Sequence, residues 1–167
     1  MLEAMGFGAL PSLRSASMAD ARILWLWAND QETRAASIHP QPIPWESHSH
    51  WLATVLRDPL RLLLIGETQQ GVPIGVIRFD RSGRKAVASV TMAPEFRSLG
   101  LGTRLIRSGC AECFKKMEVE CITAYVKKGN KPSARAFSSV GFRLSSESSL
   151  EGEVVYCFEL GKGADSA

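Results

Sequence analysis

Paired cysteines are the first thing this sequence lacks. It has four, Cys110, Cys113, Cys121 and Cys157. Cys110-x-x-Cys113 has no second pair and no histidine beside it, so neither a disulfide framework nor a zinc site is expected. Buried reduced thiols are expected instead, which points to the cytoplasm. A surplus of one charge is missing too: 20 Lys and Arg stand against 17 Asp and Glu, a net +3. The two signs are interspersed, so no nucleic-acid surface is expected. Long apolar runs are absent. The densest, Leu60 to Ile65, is short and broken by Arg61, so no membrane span is expected. Met1 to Ala16 has Glu3 near its start and no basic leader, and does not read as a signal peptide.

What is present is an alternation of periods. With 167 residues, 45% of them hydrophobic, one domain with a substantial core is expected. Ser12 to Ala16 reads as a strand. Ser17 caps a helix through Ile23, Leu24 and Trp27, with Asp20 completing a capping box. His39-Pro40-Gln41-Pro42-Ile43-Pro44 cannot be helical, because its prolines fix φ and remove donors. Trp45 to Leu56 resumes a helical pattern. Strands follow at Leu60 to Glu67, Pro73 to Phe79 and Lys85 to Met92, with turns at Gln69-Gln70-Gly71 and Arg81-Ser82-Gly83-Arg84. A helix from Leu101 to Met117, a strand from Cys121 to Val126, a helix from Pro132 to Val140 and a strand from Val154 to Leu160 complete the pattern. That last strand is a candidate edge for pairing across a homodimer. The mixture is that of an α/β or α+β protein.

The most informative stretch runs from Val90 to Ile106. It is a strand, a loop and a helix that opens at Gly100 and Gly102. Such a turn aims successive backbone N–H groups at one spot, on the positive end of the helix dipole. That suits a phosphate. Glycines let an anion approach the backbone, and Arg97 and Arg104 offer charged donors. The alternatives fit poorly. A Walker loop needs Gly-Lys-Ser/Thr where Gly102 is followed by Thr103-Arg104, and a dinucleotide fingerprint needs a third glycine where Leu105 stands.

Further on, Asn130-Lys131-Pro132-Ser133-Ala134-Arg135-Ala136-Phe137 leads to Gly141-Phe142. With Arg97-Ser98-Leu99-Gly100-Leu101-Gly102, these residues resemble the GCN5-related N-acetyltransferase (GNAT) family over about Ser12 to Leu160. The resemblance implies an α+β fold with a mixed, mostly antiparallel sheet of six to seven strands flanked by about four helices. It implies an extension at 1–11, a transferase domain at 12–160 and a flexible tail at 161–167. It also implies acetyl transfer from acetyl-coenzyme A to a primary amine by direct attack, with no metal. Val90, Met92, Arg97, Ser98, Leu99, Gly100, Leu101, Gly102, Thr103, Asn130, Ser133 and Phe137 are then the expected coenzyme contacts.

Trp27-Ala28-Asn29-Asp30, Pro42-Ile43-Pro44-Trp45-Glu46 and Pro73-Ile74-Gly75-Val76 resemble a narrower branch that acetylates nucleotide-linked amino sugars. Peptide or ribosomal-protein N-terminal acetylation, aminoglycoside acetylation and coenzyme A binding without turnover are the alternatives. Acceptor contacts are expected from His39, Trp45 and His48, which bracket the proline-rich loop. Asp80, Glu95 and Ser138 are the three acid–base candidates for the site, and Glu67, His39 and His48 are further candidate bases. Many relatives carry Tyr where Phe137 stands. The departing thiolate then leaves unprotonated, or Ser138, Tyr125 or water supplies the proton.

Overall fold

The computed structural model describes residues 11–164. The expected extension as far as residue 10, and residues 165–167 of the expected tail, lie outside the described residues. Among the described residues, seven strands form one sheet: β1 (Ser12–Ser15), β2 (Arg61–Glu67), β3 (Pro73–Ser82), β4 (Lys85–Met92), β5 (Cys121–Lys127), β6 (Arg143–Leu150) and β7 (Glu153–Gly161). Five α-helices accompany them: α1 (Ala21–Asn29), α2 (Gln31–Ala36), α3 (Trp45–Val55), α4 (Leu101–Lys116) and α5 (Lys131–Val140). The spatial order is β1-β2-β3-β4-β5-β7-β6. Every neighbouring pair is antiparallel except β4 and β5.

Both faces of the sheet are covered, which explains the unbroken apolar run in β2. Leu64, Ile77, Phe79 and Ala88 face Leu105, Ile106 and Phe137 on the α4 and α5 side. Leu63 and Ile65 face Leu24, Trp27, Leu52 and Val55 on the α1 and α3 side. Helix α4 lies close because Gly109 has no side chain: a Cβ there would meet Ile77 Cγ2 at 2.8 Å. The capping box at Ser17 forms as the sequence indicates, around a short 3-10 turn at Met18–Asp20. The Asp20 carboxylate also receives two Arg14 hydrogen bonds.

Three features differ from the sequence expectations. Helix α2 occupies a stretch too short and polar to show a period. The hairpin turn after β3 tightens, since Ser82 pairs with Lys85 across Gly83 and Arg84. Strand β6 has no counterpart in the sequence reading, because all eight of its residues are exposed and no apolar alternation marks it. It pairs with β7 through a register shift between Leu144 and Ser146. Val154 to Leu160 is therefore flanked by β5 and β6, and the edges are β1 and β6. The bulge and serine-rich sequence of β6 are the usual means of blunting an edge. Gly161 closes β7, and the amide of Lys162 bonds the Glu120 carbonyl, so the tail begins later than expected.

Candidate active site

Strands β4 and β5 run parallel but stay together for three pairs only, Lys85–Cys121, Ala86–Ile122 and Val87–Thr123. Beyond them the strands part. β4 remains held by β3 as far as Gly75–Met92, and β5 by β7 as far as Lys127–Val155. Each wall of the opening is thus anchored on its outer side, and the inner edges of Ala88–Met92 and Ala124–Lys127 do not pair with each other. An opening of this kind presents backbone donors and acceptors to a guest chain.

At the β4 end the chain passes through a 3-10 turn, Pro94–Phe96, into α4. Ser98 has φ 60°, an unusual left-handed conformation for a residue with a side chain. Gly100 caps α4 at φ 75°, and nothing lies within 4 Å of where its Cβ would stand. A side chain there would project into the space before the helix. The amides opening α4 lack intrahelical acceptors, so this loop has the geometry that the expected anion cradle requires. At the other wall, Asn130 caps α5 by accepting the Ser133 amide.

On the α1 and α3 side lies a cavity of about 510 Å³. Val76, Arg78, Ser89 and Thr91 of β3 and β4 form its floor with Leu63. Leu24, Ala28, Thr33, Arg34 and Ser37 of the first two helices, Ile43 of the proline-rich loop, and Ser47, His48 and Trp51 of α3 complete it. Helix α2 ties the two walls of the opening together. Arg97 of the cradle pairs with Asp30 at 2.7 Å and Glu32 at 3.2 Å. Lys127, at the end of β5, donates to the Ala35 carbonyl at 3.3 Å.

The expected site residues divide. Val90 and Met92 lie along the opening, and Ser98, Leu99, Gly100, Gly102 and Thr103 lie in the cradle or the first turn of α4. The Leu101 side chain is buried against Ile74, so only its backbone is available. The Arg97 guanidinium is turned away from the cradle to α2, where the Asp30 and Glu32 carboxylates hold it. Phe137 is 3% exposed and edge-on to Phe142 at 5.0 Å, a core residue where a coenzyme contact was expected. Helix α5 offers the sheet little else that is large, so the ring is drawn inward.

Of the acceptor candidates, His48 alone lines the cavity. His39 is exposed and pairs with Glu151 in the β6–β7 turn. Trp45 stands edge-on to Trp25 at 5.6 Å, outside the lining, and Trp51 one turn and a half along α3 takes the place expected for it. The three acid–base candidates are not brought together. Asp80 is held by Arg78 at 2.9 Å just past the cavity floor, while Glu95 and Ser138 are exposed, on the 3-10 turn and on α5. Arg78 and Trp51 were not expected. The signal for Arg78 was its place in β3 alternation, two residues after Val76 on one face.

His48 is buried, with Nε2 donating to the Ala21 carbonyl at 3.0 Å, which leaves the lone pair on Nδ1. Burial lowers its pKa below the ordinary histidine value, and the Ala21 bond only partly offsets this. The folded state therefore resists protonation while the unfolded chain binds a proton near pH 6.5. Stability is expected to fall as the pH drops below about 6.5, by at most about 1.4 kcal/mol per pH unit. Urea titrations from pH 8 to 5 check this, with His48→Gln expected to flatten the slope.

A strand pair thus opens beside a glycine-capped helix, next to a partly open cavity on the α1 and α3 face of the sheet. Residues 12–143 match the family described as acetyltransferase (GNAT) domain. The chain belongs to that family. Its fold is similar to spermidine N-acetyltransferase from Vibrio cholerae in complex with CoA and spermine, at TM-score 0.84 and 16% identity, over 95% of this chain and 99% of that one. It is similar to aminoglycoside acetyltransferase AAC(6′)-Ib in complex with coenzyme A, at TM-score 0.80 and 18% identity, over 93% and 96%. No curated protein matches the chain. Among the described residues, no helix is long and apolar enough to cross a membrane, and no group of three or more His, Cys, Asp or Glu is placed to hold a metal ion.

Proposed function

We propose that the protein transfers the acetyl group of acetyl-coenzyme A to the primary amine of a small acceptor held in the cavity between the sheet and helices α1 to α3. The observation that carries this reading is the parting of β4 and β5 between two sites, the anion cradle at Gly100 and the cavity floored by Ser89 and Thr91. The cradle amides receive the pyrophosphate, and the open edge of β4 from Val90 to Met92 offers hydrogen bonds to the amide-bearing arm.

The chemistry is acyl transfer. The amine nitrogen attacks the thioester carbonyl carbon, an N–C bond forms, and the C–S bond breaks to release thiolate. A backbone N–H on the open β4 edge stabilises the oxyanion. An alkylamine is mostly protonated at neutral pH, so a base must take its proton first. His48 is the one cavity group with a free lone pair in that range, acting directly or through water. The cavity volume of about 510 Å³ suits a small amine. A nucleotide-linked amino sugar remains the finer reading that the sequence resemblance favours.

Thiol release from acetyl-coenzyme A with a panel of amines tests the proposal. Turnover that saturates in both substrates is expected. Stabilisation by acetyl-coenzyme A without turnover of any amine would leave only a coenzyme-binding module.

A further inference from the structure

The charge on the cavity wall is of one sign. Arg34 and Arg78 reach it, and no lining residue carries a carboxylate. Arg34 is half-buried and spends its donors on neutral groups: the carbonyls of Ala28, His39 and Gln41 and the Ser37 hydroxyl. Burial lowers its pKa from the ordinary arginine value. Arg78 lies over Trp51, 5.5 Å from the ring centroid, and gives only its Nε to Asp80. Neither of its Nη groups donates to any described residue. Of the nearby acids, Asp30 and Glu32 are held by Arg97, while Asp80 lies between Arg78 and Arg61 and meets Arg78 through Nε, on the side of the guanidinium away from one Nη edge.

A partly desolvated cationic wall attracts anions and repels polycations. We infer that the acceptor is an anionic amine, whose carboxylate or phosphate is received by the two Nη groups of Arg78 while its amino group points toward Ser89 and Thr91. The planar guanidinium, braced by Trp51 and Asp80, matches such a group in bidentate fashion. The inference rests on the acetyl-transfer reading above. It sets this cavity apart from the spermine and aminoglycoside named for the structural neighbours.

Matched pairs of amines test it by thiol release: alanyl-glycine against its C-terminal amide, and glucosamine 6-phosphate against glucosamine, with spermidine and kanamycin alongside. The anionic member of at least one pair is expected to show a kcat/KM about tenfold or more above its neutral partner. The pair that responds tells carboxylate from phosphate. Arg78→Gln is expected to bring that ratio close to one, and Arg78→Lys to keep part of it. A neutral amine or a polycation turning over best would overturn the inference. Should no amine turn over, the acetyl-transfer reading fails by itself. Calorimetric titration of the same anionic amines with coenzyme A present then decides: binding lost in Arg78→Gln supports the anion site, and no binding to the unaltered protein refutes it.

Discussion

Gly100→Glu is expected to weaken acetyl-coenzyme A binding by about 100-fold or more while the protein stays folded. Two separate effects are involved. The residue sits at φ 75°, where a side chain adds strain of about 1–2 kcal/mol. Nothing lies within 4 Å of the new Cβ, so no clash with the protein is added. The carboxylate would instead project into the space where a phosphate must lie, and a like charge there costs several kcal/mol. Gly100→Ala separates the two, because it shares the strain and lacks the charge. Calorimetry should show modest weakening for Ala and loss of binding for Glu. Equal affinity in Glu and wild type would remove the cradle from the mechanism. Gly102 is a contrasting case, since its Cβ would make only ordinary contact with Met92 at 3.7 Å.

Phe137→Ala is expected to lose about 3–5 kcal/mol of stability, the usual effect of deleting a buried aromatic ring. The ring is 3% exposed, and it joins α5 to Phe142 and the core beneath the sheet. Urea denaturation measures the loss; a change below about 1 kcal/mol would mean that the ring packs loosely and is open to ligand. Phe137→Tyr is the sharper companion. A buried hydroxyl without a partner costs about 1–3 kcal/mol, so lower stability with unchanged kcat is expected from core packing alone. A gain in kcat would show that the new hydroxyl reaches the departing sulfur.

Much of this molecule is legible in its sequence. Gly100 could be marked because a strand, a short loop and a helix in immediate succession leave few ways to turn, and glycine is the residue that adopts positive φ without strain. Asn130 and Ser133 were marked by the family resemblance as coenzyme contacts, and the structure adds that Asn130 caps α5 by accepting the Ser133 amide. Local chemistry of this range is written in adjacent residues. Strand β6 was hidden, because an exposed edge strand of serine and glutamate needs no apolar face. It exists because β7 offers it hydrogen bonds.

The site residues show the same division. The closeness of Arg97 to Gly100 in sequence points it toward the cradle, yet Asp30 and Glu32, more than 60 positions away, hold it at 2.7 and 3.2 Å. Trp45 and Trp51 lie on one helix, and only the packing of α3 against α1 decides that Trp51 enters the cavity while Trp45 meets Trp25. Asp80 looked like a strand-end carboxylate facing the acceptor, and β2 and β3 supply the arginines that occupy it.

By itself, then, the sequence determined the family, most of the elements and the glycine-capped entry to α4, since each depends on residues close together in the chain. The tertiary structure alone decided the parting of β4 and β5, the use of Arg97 as a tie to α2, and the cationic wall formed by Arg34 and Arg78. Those features join residues far apart in the chain, and their energies depend on burial and partner choice.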